Sequence, residues 1–389
     1  MSKSKAKKSQ QTDIQIKVIE YSKIDDSYNN YLILNLSGPD INNVIINTLR
    51  RVIMELVPIY AFEKSNIEIS KNTSIYNNDY MRLRLSNFPI ISIDNPIETI
   101  KQSANLEYEA NISKFEKKIE DINIIAEKEQ AYKLEKAQNF IMNINCKNTT
   151  SNILPITTSH PDIRYYYQTK MISSPYVSPL LIIKLKPGEE FISSLTSTIG
   201  IGLSNSNYMA TSVCAYSEES ETSFNFNIES LKQLTEIEIM IRACQIIIIK
   251  LNNFLEIFIN KIKSYSSEKI VDDFNLDNQN KNSSSSDSDT VTESAIRNTS
   301  DDVLEQHRVK GLINIENESH TFGNLLAKLL QDHPSILFAA YKIDHLLIKE
   351  LSLAYKTDGT DIIIILEEII NRGKNIYVDI SDKLEKIKL

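Results

Sequence analysis

The chain has 389 residues and a formal charge of −8, enough length for two or three domains and a sizeable core. The acidic balance excludes a chain-wide phosphate-gripping surface, and no apolar run reaches the roughly 18–20 residues of a membrane span. Three cysteines, Cys146, Cys214 and Cys244, lie far apart, which is neither a disulfide framework nor a zinc-ligand spacing and fits a reducing compartment.

In chain order, MSKSKAKKSQQ has lysines but no apolar segment of the signal-peptide kind, and reads as a solvated basic tail over 1–12. From Asp13 to Leu36 apolar and polar residues alternate, which predicts paired strands. After the turn Ser37-Gly38-Pro39-Asp40 comes a helical stripe of Val44, Ile45, Thr48, Leu49, Val52, Ile53 and Leu56, with Arg50, Arg51 and Met54 on the other face and Pro58 as the stop. Residues 59–100 have strand and turn character. Residues 105–137 are highly charged, with Ile112, Phe115, Ile119, Ile122 and Ala126 three and four apart, the pattern of a helical arm.

Strands are expected again through FIMNINCKN, LLIIKLKPGEEF and MATSVCAYSEES. A long helix follows from about Thr235 to Ile262, striped by Ile237, Met240, Ile241, Cys244, Ile247, Ile248, Leu251, Leu255, Phe258 and Ile262. The Ser- and Asp-rich stretch 264–306 reads as a tether. Ordered pattern resumes at Val309. There Thr321 is placed to cap a helix whose apolar positions Phe322, Leu325, Leu326, Leu329 and Leu330 share one face, and Asp332-His333-Pro334 ends it. A strand, an Ile-rich helix over about Asp361–Asn371 and a further apolar-striped segment complete the chain.

The stretch ENESHTFGNLLAKLLQDHPSILFAAYKIDHLL closely resembles the signature of the small alpha-like subunit of cellular RNA polymerases, eukaryotic subunit eleven and its archaeal L counterpart. Upstream, NNVIINTLRRVIMELVP followed by NTSIYNNDYMRLRLSNFPI, the run KLKPGEEFISSLTSTIGIGLSNSNYMATSVCAY, the segment FNFNIES before the long helix, and more weakly ILPITTSHPDI resemble the other half of that pair. That half is eukaryotic subunit three, its archaeal D counterpart and the bacterial alpha N-terminal domain. The chain therefore resembles a fused alpha-like subunit of the kind found in large nucleocytoplasmic DNA viruses. The likeness covers roughly 15–100, 138–263 and 308–389.

This resemblance implies an α+β fold, with two dimerisation halves pairing as a pseudo-heterodimer through helices and a β-rich domain inserted in the first half. The expected organisation is the tail 1–12, a subunit-three-like domain over 13–100, the insert 101–182, the return of the first domain over 183–263, the linker 264–306, and a subunit-eleven-like domain over 307–389. The internal pairing interface is expected at Val44, Ile45, Leu49, Val52, Ile53 and Leu56 with Phe322, Leu325, Leu326, Leu329 and Leu330. Leu49, Arg50 and Arg51 would dock the second-largest polymerase subunit. The largest subunit and small subunits of the ten and twelve type would follow, with no sequence-specific DNA contact and no membrane. A linker of about 40 residues reaches on the order of 35 Å and sets effective concentrations on the order of millimolar. The site of action would be the host cytoplasm and the virion if the source is viral, otherwise nucleus or cytoplasm.

Some family features are missing. Met81-Arg82-Leu83-Arg84-Leu85-Ser86 keeps only the Arg and Leu of the family's H-R-L-G, and Asn205–Tyr208 replaces its H-A-K-W. The cysteine cluster that holds zinc or iron–sulfur in many relatives gives way to the 105–137 arm, so no metal and no cofactor is expected. Gly200-x-Gly202 lacks the Lys-Ser/Thr of a nucleotide loop and reads as a turn. His320 precedes a helix and suits packing or capping. His160, His307, His333 and His345 are scattered with no nucleophile constellation, so no catalytic residue is expected. Two other readings fit the composition less well: a nucleic-acid-binding accessory factor using the lysine tail, and a virion structural protein with chance motif similarity.

Overall fold

The computed structural model describes residues 13–22, 30–91, 140–167, 170–276, 309–345 and 348–387. The basic tail, the 105–137 arm and the tether beyond residue 276 lie outside these. The fold is mixed α/β, with five helices and four sheets among the described residues. It divides into two compact units, one within Met1–Ile247 and Ile376–Leu389, the other within Ile248–Asn375.

In the first unit, an antiparallel sheet has the order β1-β2-β11-β10, from Gln15–Ser22, Asn30–Ser37, Ser223–Ser230 and Thr211–Ser220. Strict alternation puts Leu32, Leu34 and Leu36 on one face beside Phe224, Phe226 and Ile228, all fully buried. Helix α1 (Asn43–Glu55) lies against β10.

A second sheet, β3-β9-β4-β6-β7, takes strands Ile59–Asn72, Glu190–Gly200, Ile141–Lys147, Ile163–Tyr167 and Lys170–Ile172. The expected insert therefore shares its sheet with β3 and β9 of the flanking segments. The hairpin-like pair β5 (Leu154–Thr157) and β8 (Leu181–Leu185) completes this region. Its core runs through Phe62, Phe140, Met142, Ile144, Tyr165, Leu185, Phe191 and Leu195.

Residues 78–86, expected as strand and turn, form helix α2 (Asn78–Ser86) instead. Met81-x-Leu83-x-Leu85 looks like strand alternation, but Met81 and Leu85 are buried while Leu83 is exposed, which is i,i+4 spacing. The Asn77 side chain caps the helix by accepting from Tyr80 N at 2.7 Å. Arg84 donates to the carbonyls of Ile182 and Leu181, each at 2.8 Å, which holds the helix on β8.

Helix α3 (Glu236–Leu276) opens with a reciprocal cap: Thr235 N donates to Glu238 Oε2 at 2.9 Å, and Glu238 N to Thr235 Oγ1 at 3.3 Å. It continues past the Ile262 end expected from the stripe and past the expected tether start at 264. Its buried face is also wider and rotated. Ile239, Met240, Ala243, Cys244, Ile246, Ile247, Leu251 and Phe254 are buried, whereas Ile237, Ile241, Ile248 and Leu255 are only half-buried.

In the second unit, strands β12 (Lys310–Glu316), β14 (Ile348–Thr357) and β13 (Ile336–His345) form an antiparallel sheet against helix α4 (His320–Gln331). Helix α5 (Ile362–Glu385) is one continuous helix, where the sequence suggested a break near Asn371. Gly373 costs about 1 kcal/mol of helix propensity. In return it brings the α5 backbone close to Leu329, whose Cδ1 lies 2.9 Å from where a Cβ would stand.

Candidate assembly site

Helix α1 is capped by Asn42, whose side chain accepts from Ile45 N at 3.1 Å. Ile45, Thr48, Leu49, Val52, Ile53 and Leu56 are buried as the stripe requires. Val44 is only half-buried and Ile46 takes its place in the core. Leu49 is fully buried, so it belongs to the packing face and not to the polar face of Arg50 and Arg51. At 100° per residue, Leu49, Arg50 and Arg51 cannot share one face.

The covers of α1 come from distant parts of the chain. On β10, the Cys214 thiol donates to Arg50 O at 3.9 Å, and Tyr216 Oη bonds Asn43 Oδ1 at 2.8 Å. From α5, Tyr377 is fully buried and its hydroxyl donates to Ile45 O at 3.4 Å. Thr48 hydrogen-bonds the same hydroxyl, and burial pushes the phenol far above its ordinary value. Further along α5, the Lys383 ammonium reaches both the Ile14 carbonyl and, at 2.8 Å, Asp379 Oδ2. The last turns of the chain thus serve the core of the first unit.

The polar face of α1 is ordered by its own neighbours. Asn47 Oδ1 accepts from Arg50 Nε at 3.1 Å and Nη2 at 3.0 Å, while Nη1 points at Met54 Sδ, 3.4 Å away. Arg51 Nη2 pairs with Glu55 Oε1 at 2.5 Å, one turn on, and keeps 42 % of its side chain exposed. Beside them, Leu203 N donates to Glu55 O at 2.9 Å, and a Cβ on Gly202 would strike the Met54 carbonyl. Gly200 faces the ring of Tyr208, whose hydroxyl is 2.6 Å from Thr198 Oγ1. Both glycines of Gly-Ile-Gly are therefore there for close packing, not for phosphate.

In the second unit, Phe322, Leu325, Leu326, Leu329 and Leu330 are all buried. Helix α4 begins at His320 after Ser319, so Thr321 lies in the first turn rather than at the cap. Asn317, with φ 60°, turns the chain just before it. Gly323, unassigned by sequence reasoning, lets the helix sit directly on the sheet: a Cβ there would run into Leu351 and lie 2.7 Å from the Tyr341 ring. The distal part of α3 packs here too. Phe254 meets Phe322 edge-on at 5.9 Å, and Lys250 Nζ lies 5.4 Å over the Phe322 ring and 3.1 Å from Glu318. Lys374 of α5 donates to Asn252 Oδ1 at 2.9 Å.

His320 stacks edge-on against Tyr341 at 5.8 Å, a packing role. His333 lies 3.3 Å from Glu368. His307 falls outside the described residues. His160, read as scattered, is instead brought to Cys146 and Asp162, and the three side chains form a group with metal-ligand potential among the described residues. Sequence spacing hid it, because Cys146 reaches the other two across a strand-to-turn contact. All three cysteines are free and buried. Burial pushes the Cys146 thiol up to about 11 and Cys214 up to about 12, with Cys244 higher still.

Residues 39–251 match a family model described as the RNA polymerase Rpb3/Rpb11 dimerisation domain, and a second model of the same description matches 311–383. The chain is 27 % identical, over 99 % of its length and 100 % of the relative's, to a protein named as a DNA-directed RNA polymerase subunit of Acanthamoeba polyphaga mimivirus. It is 25 % identical to subunit Rpo3 of Methanobrevibacter smithii, over 47 % of this chain and 53 % of that one. It is 33 % identical to subunit Rpo11 of Sulfolobus acidocaldarius, over 18 % of this chain and 84 % of that one.

Proposed function

We propose, from the premise that this chain belongs to the RNA polymerase Rpb3/Rpb11 dimerisation family, that it is the non-catalytic assembly platform of a multisubunit DNA-directed RNA polymerase. Its two alpha-like halves, fused in one chain, pair in cis. The paired halves recruit the second-largest subunit through Arg50 and Arg51, then the largest, with small subunits of the ten and twelve type alongside. The observation that supports cis pairing is Tyr377. It belongs to the last helix of the second dimerisation domain, yet lies fully buried under Ile45 and Thr48 of α1 in the first. Reciprocally, Phe254 of α3 packs on Phe322 of α4.

Of the two arginines, Arg51 is the better placed to meet a partner. Its Glu55 pair sits within one helical turn at the surface, where such pairs contribute only about 0.3–0.5 kcal/mol, so a partner carboxylate can compete for the guanidinium. Arg50, held by Asn47 and Met54, acts as the fixed neighbour. The full-length likeness to a mimivirus protein supports action in the host cytoplasm and packaging in the virion.

Co-expression with the two large polymerase subunits and a pull-down on this chain tests the reading. Wild type should bring both down. Arg51→Glu should remain folded and lose the second-largest subunit; unchanged recovery would remove the docking role from this face.

A further inference from the structure

We infer that Cys146, His160 and Asp162 form a binding site for one divalent cation of the zinc type, joining strand β4 to the turn after β5. The three ligating atoms come from parts of the fold that are already fixed to one another. Cys146 points to the inner face of β4 with Met142 and Ile144, and β4 is flanked on both sides, by β9 and by β6. The turn carrying the other two is closed by His160 N to Thr157 O at 2.9 Å and by Ile163 N to His160 O at 3.0 Å. It is tied to β4 one residue before the cysteine, where Asn145 N donates to Asp162 O at 3.3 Å.

The distances suit an ion. Cys146 Sγ is 3.7 Å from His160 Nδ1, which is 3.8 Å from Asp162 Oδ2, and the three ligand atoms lie within 4.8 Å of one another. A tetrahedral zinc, with bonds of about 2.3 Å to sulfur and about 2.0–2.1 Å to nitrogen and oxygen, places sulfur and nitrogen about 3.6 Å apart and nitrogen and oxygen about 3.4 Å apart. The sulfur–nitrogen and nitrogen–oxygen pairs need shifts of only a few tenths of an ångström, and the sulfur–oxygen pair, within 4.8 Å, closes by rotation of the exposed Asp162 side chain. Nδ1 also accepts a long 3.3 Å bond from Asp162 N, which competes for its lone pair but is weak enough to yield to an ion.

The donor set fixes the class of ion. One sulfur, one imidazole nitrogen and one carboxylate oxygen favour zinc or cobalt over calcium or magnesium, which take oxygen ligands. Cys146 is buried, His160 has 18 % of its side chain exposed and Asp162 58 %. The ion therefore enters from the Asp162 side, and water takes the fourth position. On binding, the metal–sulfur bond replaces the S–H bond and the proton leaves to solvent. None of these residues lies in 105–137, the stretch standing where relatives carry their cysteine cluster. The competing account is purely structural: Cys146 as a small core residue and His160 as a turn-capping ring, with no affinity for metal.

The full-length chain, stripped with a chelator, is titrated with Co2+ and then with competing Zn2+, reading thiolate-to-cobalt charge-transfer absorption and bound metal per chain. One ion per chain is expected, with a charge-transfer band that Cys146→Ser abolishes. Asp162→Asn, at an exposed side chain, should fold as wild type and weaken zinc binding by at least about 10–100-fold, the loss seen even for outer partners of metal ligands. No charge-transfer band, or equal binding by wild type and Cys146→Ser, would overturn the site. So would an Asp162→Asn chain that binds zinc as wild type does.

Discussion

Replacing Tyr377 with alanine takes from the core of the first unit a side chain that only the second dimerisation domain supplies. A fully buried aromatic removes roughly 150–250 Å² from water, worth about 4–6 kcal/mol at ~25 cal/mol/Å². The methyl that remains returns about 1 kcal/mol, leaving a loss of about 3–5 kcal/mol, the range for aromatic-to-alanine changes in cores. The hydroxyl adds less than the ring, since its 3.4 Å bond to Ile45 O is long and Thr48 is its other partner, and Tyr377→Phe should cost about 0.5–1.5 kcal/mol. Hydrogen exchange at the amides of α1 reads this locally. A loss of about 4 kcal/mol lowers their protection about a thousandfold, while strands β12–β14 keep theirs. If alanine and phenylalanine gave the same α1 protection as wild type, Tyr377 would not be the residue that closes this core, and cis pairing would lose its main support.

Cleavage of the tether near Ser284 should leave the two pieces co-eluting on a sizing column, because α3 and α5 hold them together; separate elution would refute the cis-paired core. Gly323→Ala should destabilise the chain by about 1–3 kcal/mol in urea unfolding, through overpacking of α4 against Leu351 and Tyr341, and an unchanged midpoint would contradict the close approach. Burial holds the thiols of Cys214 and Cys244 protonated well above the value near 8.5 of an unfolded cysteine. Their contribution is full below about pH 8.5 and is lost as pH rises toward the folded values, at up to about 1.4 kcal/mol per pH unit for each thiol. The urea midpoint should therefore fall between pH 8 and pH 10, and less so in the Cys214→Ala, Cys244→Ala double variant; equal falls would exclude the thiols as the cause.

Most of the element order is legible because burial leaves a period. The two-residue period of β2 and β11 and the helical stripe of α1 each have a polar face to contrast with the apolar one. Where that contrast fails, so does the reading. The segment IEIMIRACQIIIIKL of α3 is apolar nearly all round, so periodicity cannot tell that Ile239, Ala243 and Phe254 face inward while Ile241 and Leu255 sit at the margin. Helix α2 escapes because two inward residues and one outward one, Met81, Leu85 and Leu83, imitate a strand; the Asn77 cap is the available signal. The Ile-rich pattern ends near Asn371, but the helix runs on through Gly373, whose missing Cβ admits the Leu329 side chain. The HTFGN and LRR motifs mark the candidate site, but Leu49 faces inward, and Gly323 has no evident role until the sheet beneath it is in view. The Cys146, His160 and Asp162 group depends on a turn-to-strand contact that no local pattern encodes.

The place of Tyr377 in the chain has a consequence for biosynthesis. Its hydrogen-bond partner Ile45 precedes it by 332 positions, so a ribosome delivers α1 long before the residue that covers it. Between completion of the first unit's other elements and arrival of α5, translation at roughly 5–20 residues per second leaves an interval on the order of ten seconds. Through that interval Ile45 and Thr48 lack one of their covers, and the nascent first half is an incomplete core. With both dimerisation domains on one polypeptide, the missing piece arrives one copy for one copy, without a diffusional search. It also makes the turns of α5 around Tyr377 the step that closes this core.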